Sequence, residues 1–119
     1  MNGYVKLPLN GKDRGFKFDI KAVGGILKAL SISVDGLSKA MTDNPFESYP
    51  VIIYEGLKRN AEKAKEDLPD EEKVFEWIEA DGILSENVLN IIKAFGESIV
   101  SLLPESKEVP NVKAKAAKK

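Results

Sequence analysis

Three carboxylates, Glu72, Glu76 and Glu79, recur at i, i+4 and i+7, which puts them on one side of a helix. Clustered carboxylates are the side chains that move protons or hold a divalent cation. On an exposed helix nothing desolvates them, so a solvated acidic face is the simpler reading. Ser31, Ser33, Ser38, Ser48, Ser85 and Ser98 carry nucleophilic oxygens. None sits in a G-x-S-x-G elbow or an S-x-x-K motif. The chain has no histidine and no cysteine, so it lacks the usual base for a serine and the usual zinc ligands. "GKDRG", residues 11–15, lacks the spacing of a phosphate-binding loop. The expectation is a protein that is not an enzyme and that carries no catalytic residue, metal site or cofactor.

The surroundings of these residues are ordinary for a globular domain. The 119 residues are 43% hydrophobic and 31% charged, with a net charge of −1. That length predicts one domain, and that balance supplies no global field toward nucleic acid or membrane. No secretory signal and no apolar run long enough to span a bilayer is visible. The absence of cysteine suits a cytosolic setting.

Hydrophobic periodicity predicts the elements. Val5, Leu7 and Leu9, then Phe16, Phe18 and Ile20, alternate with polar residues, as in a β-hairpin over 4–20. A two-residue turn at Asn10-Gly11 would pair Leu9 with Lys12 and Leu7 with Arg14. A longer loop, Asn10 to Gly15, pairs Leu9 with Phe16, Leu7 with Phe18 and Val5 with Ile20, and puts all the apolar side chains on one face. The longer loop is therefore preferred. Pro8 marks the first strand as an edge, and the hairpin needs helices over its apolar face.

Helices are expected from the Asp19 cap to about Leu30, and after Ser33 with Val34, Leu37, Ala40 and Met41 inward. Gly24-Gly25 imply either close approach of another chain segment or a break in the first of these. A third helix, roughly 46–65, starts near Asn44-Pro45, with Pro50 either kinking it or marking where its regular part begins. Ile53, Leu57, Ala61 and Ala64 form its inner stripe, and Glu55–Arg59 a solvent-side i,i+4 pair. Asp70 caps a helix that Gly82 ends, with Ile83 closing it. Ser85 caps the last, to about Leu103. Its apolar side covers about half the circumference, more than a surface helix needs. Either it is the central helix of the domain or part of that side meets a second chain. Residues 104–119 carry five lysines against two glutamates and no aromatic residue; they read as a flexible basic tail. The fold class is thus α+β, mainly α: a hairpin, about five helices over 1–103, and the tail.

The order "FKFDIKAVGGILKAL", "SVDGLSKAM", "NPFESYPVIIYEGLKRNA" and "DEEKVFEWIEA" resembles the tail assembly chaperones of long-tailed bacteriophages, over roughly residues 3–100. The resemblance implies a non-enzymatic protein of the host cell cytoplasm, absent from the mature virion. It would bind the tape measure protein, keep it soluble and help recruit tail tube subunits, with self-assembly into a ring or filament as one route. In many relatives a frameshift near the gene's end makes a longer form, and "KAAKK" suits an adenine-rich slippery run. Client binding needs apolar surface. The candidates are Phe75 and Trp77, and Leu89, Gly96, Val100 and Leu103 on the wide last helix. Two other readings stand beside this one. One is a small helical nucleic-acid-binding regulator using the basic tail, although Lys93 among Glu86 and Glu97 makes a poor recognition helix. The other is a minor structural tail or connector protein.

Overall fold

The structure, a computed structural model, describes residues 3–103. The expected tail, 104–119, lies outside the described residues. Strands β1 (Tyr4–Leu9) and β2 (Lys12–Lys17) form an antiparallel hairpin. Helices follow as α1 (Ile20–Leu30), α2 (Leu37–Asp43), α3 (Pro45–Ala64), α4 (Glu71–Asp81) and α5 (Glu86–Leu102). A single 3-10 turn, Val34–Gly36, precedes α2.

The hairpin closes through the short turn, not the longer loop. Asn10 and Gly11 both take positive φ, 54° and 76°, as a tight two-residue turn requires. Leu9 therefore faces Lys12, Leu7 faces Arg14 and Val5 faces Phe16. Direct partners share a face, so two basic residues lie on the apolar side. Arg14 suits that position because its guanidinium lies 3.6 Å from the centre of the Trp77 ring and its Nε donates to the Leu9 carbonyl at 2.9 Å. Lys12 sits at the exposed tip. Phe18 stays on the same side, its N–H donating to the Gly3 carbonyl at 2.8 Å.

Ile20 is not part of the strand face. It is the first residue of α1 and is 76% exposed. Asp19 explains the switch: its carboxylate accepts from the Ala22 N–H at 3.1 Å, so the helix starts one residue later. Partial burial pushes the Asp19 carboxyl up, but that hydrogen bond and the Arg59 guanidinium outweigh it and hold it below its ordinary value. Gly24-Gly25 do not break α1. An added Cβ at Gly24 would meet open space, whereas at Gly25 it would come within 2.7 Å of Glu55 Oε1. The close approach is thus to one side chain of α3. Left-handed Ser31, φ 57°, ends α1, with the Ile32 N–H reaching back to the Leu27 carbonyl.

Helix α3 is continuous from Pro45 through Pro50, so its regular part begins at Pro45. Asn44 precedes it without a side-chain capping bond, and Ser33 likewise makes none ahead of the 3-10 turn. Ile53, Leu57 and Ala61 are buried as expected; Ala64 is exposed. Arg59 does not pair with Glu55. Its Nε binds both Asp19 oxygens, at 2.9 and 3.1 Å, and its Nη1 reaches Glu62 at 3.2 Å, so α3 is tied to the start of α1. Asp70 caps α4 through the Glu72 N–H, and Ser85 caps α5 through the Val88 N–H. Gly82, φ 103°, ends α4, and Ile83 packs on the core beyond it.

The core fills the space between the hairpin, α3 and α5. Phe18 stacks on Phe16 with centroids 6.3 Å apart and meets Phe95 edge-on at 5.3 Å. Gly56 of α3 lets that cluster close, since a Cβ there would lie 2.5 Å from the Phe18 ring. The central helix is α3, which packs against β2, α1, α2, α4 and α5. Helix α5 buries Val88, Ile91, Ile92 and Phe95 but leaves Leu89, Val100 and Leu102 exposed, as is Leu103 just after it. Ser98, on the polar side of the expected wheel, is buried instead.

Candidate interaction surface

The apolar residues that α5 leaves uncovered line a groove. Helix α2 is only seven residues long, too short to cover the carboxyl-terminal half of α5. Between them, with Tyr49 of α3 also in its lining, lies an open cleft of about 530 Å³. Val34, Leu37 and Met41 make one wall, and Phe95, Gly96, Ile99, Val100 and Leu103 the other. Val34 was expected inward but is 40% exposed, because the 3-10 turn carries it to the groove's rim. Val100 is 75% and Leu103 50% exposed. Ser38, Thr42 and the Tyr49 phenol supply the polar atoms; among the described residues no charged side chain lines this groove. An added Cβ at Gly96 would meet nothing within 4 Å, so that glycine opens the wall.

Such a surface can hold an apolar ridge of another chain by shape and dewetting. Among the described residues, no cluster of Asp and Glu is arranged to hold a metal ion. Glu72, Glu76 and Glu79 are all exposed.

The structure brings together three of the six candidate residues, Gly96, Val100 and Leu103. Phe75 lies elsewhere, half-buried in a second groove between the start of α3 and α4. Trp77 is on the opposite side of α4, holding Arg14. Burial there lowers the Arg14 pKa, partly offset by Asp81 nearby. Trp77 is thus engaged with the hairpin. Leu89 is partly exposed on α5 and lines neither groove. The opposite wall, with Val34, Met41 and Tyr49, was not recognised as part of the surface. The signal was the shortness of the segment between Ser33 and Pro45, which cannot cover a long helix.

Asp81 fastens the far side of the molecule. It accepts from the Asn10 N–H at 2.8 Å and from Asn87 Nδ2 at 3.0 Å, and these bonds hold its carboxyl below the ordinary range. The hairpin turn is thereby pinned to the α4–α5 corner. Burial pushes Glu55 up, partly countered by Lys58.

No helix among the described residues is long and apolar enough to cross a membrane. Comparison of the chain with protein-family models, curated proteins and solved structures finds no match.

Proposed function

We propose that this chain is a tail assembly chaperone of the long-tailed bacteriophage type. It works without covalent chemistry in the host cell cytoplasm, keeps the tape measure protein soluble and helps deliver tail tube subunits. It departs before the particle is finished. The observation that carries this reading is the uncharged groove between α2 and α5, whose rim at Val100 and Leu103 is not covered by the described chain. A long helical client with apolar stripes would lay one stripe into it, with anchors at i, i+4 and i+7.

Co-expression with the tape measure protein of the same phage tests the proposal. The tape measure protein is expected in the soluble fraction only when this chain is present. Gly96→Leu should fill the groove, keep the fold and abolish the effect. A tape measure protein that is equally soluble alone refutes the chaperone role. Mass spectrometry of purified virions separates it from a structural subunit, which would be found in the particle.

A further inference from the structure

The second groove, between the first two turns of α3 and the outer side of α4, has a different character. It measures about 580 Å³, and its apolar lining includes Phe46, Pro50, Val51, Phe75 and Ile83. Its only charged lining residues among those described are carboxylates: Glu47, Glu71 and Glu79. Lys73 falls on the far side of α4 at 100° per residue. Phe46 stands at the edge of this groove and is 76% exposed. Helix α4 has 11 residues, so the groove wall runs about 16 Å, the length of three helical turns.

We infer that this groove docks a basic amphipathic helix of another protein, with apolar anchors on Phe46, Phe75 and Ile83 and lysine or arginine facing Glu47, Glu71 and Glu79. Three features set the occupant. The walls are side chains of α3, α4 and the turn after α4, with no strand edge among them, so a helix in the groove fits and an added strand does not. A carboxylate lining with no cation among the described lining residues selects a positively charged partner and disfavours an acidic one. The exposed aromatic at the edge is the residue type that anchors such contacts. The inference goes beyond the chaperone reading, which concerns the α2–α5 groove, and stands without it.

The test uses the isotope-labelled full chain and two designed helical peptides of about 14 residues, near the length of the groove. Both carry leucine at i, i+4, i+7 and i+11; one is flanked by lysine, the other by glutamate. The lysine peptide should bind at least roughly tenfold tighter, the combined effect of three exposed ion pairs. Amide shifts should map to 45–51 and 71–83. The triple variant Glu47→Lys, Glu71→Lys, Glu79→Lys changes only exposed side chains and should reverse the preference. Phe46→Ala should weaken both peptides, by roughly tenfold. Equal binding of the two peptides, no binding, or shifts confined to the α2–α5 groove would overturn the inference. None of these results touches the solubility test above.

Discussion

The hairpin end of the molecule and the α2–α5 end treat apolar surface in opposite ways. At the hairpin end Leu9, Phe16 and Phe18 are fully buried, and polar ties close around them. Asn10 is held by Asp81, Arg14 by Trp77 and the Leu9 carbonyl, Asp19 by Arg59. At the other end Val34, Val100 and Leu103 stay outside, while Ser98 Oγ, like Ser48 Oγ of α3, is buried with no hydrogen-bond partner among the described residues. The first end has what stability requires. The second keeps apolar area in water and a polar group out of it, both unfavourable for folding alone. Surface that folding does not use is available for binding.

Substitutions sharpen that contrast. Phe18→Ala should be the most damaging, lowering stability by about 3–5 kcal/mol in urea unfolding, because the ring fills the centre of the aromatic cluster. Gly56→Ala should cost about 2 kcal/mol by the same measurement, since the new methyl runs into Phe18, which has no room to yield. A neutral result there would mean the hairpin end is looser than its burial indicates. Asp19→Ala should cost about 2 kcal/mol at pH 7, the sum of a lost helix cap and a partly screened ion pair.

The same carboxylate sets a pH dependence. Asp19 and Asp81 titrate below their ordinary value when folded. Their contribution is complete above about pH 4 and is lost as pH falls below it, because the unfolded chain takes up protons first. Glu55 has the opposite sign, since burial makes the folded chain protonate first and favours folding as pH falls toward its raised value. Glu55→Gln should therefore make the acid-side loss of stability steeper, read from unfolding midpoints between pH 7 and 3.

At the other end the effects are smaller or reversed. Ser98→Ala should raise stability by about 1 kcal/mol, because it removes a buried hydroxyl without a partner and improves helix propensity. Val100→Ser should change stability by less than about 0.5 kcal/mol while weakening client retention in pull-down. If it destabilised the chain as a core substitution does, the α2–α5 end would be core and the contrast would fail.

Local chemistry made the helices legible. Asp19, Asp70 and Ser85 all cap where their types and following residues indicate, and the hairpin-plus-five-helix architecture follows from periodicity. The hairpin register was not legible, because gathering every apolar side chain on one face neglects two facts. Asn-Gly supplies a tight turn at low cost, and an arginine can lie on an apolar face when its guanidinium stacks on a tryptophan ring. Nor could Ile20 serve a strand once Asp19 had become a cap. For the grooves, the wheel of α5 correctly showed more apolar width than one contact needs. It could not show which part remains open, because that depends on the length and placement of α2. Phe75 and Trp77, two positions apart in sequence, point to different sides of α4 and line different clefts.

The contact of Phe18 with Phe95, and the bond from Asn10 to Asp81, join residues near the start of the chain to residues more than seventy positions later. During translation the hairpin is made well before α5, which helps to cover it. Until then Leu9, Phe16 and Phe18 are sheltered by α3 and α4 without Phe95, and the nascent chain is itself an oily, incompletely wrapped polypeptide of the sort that holdases capture.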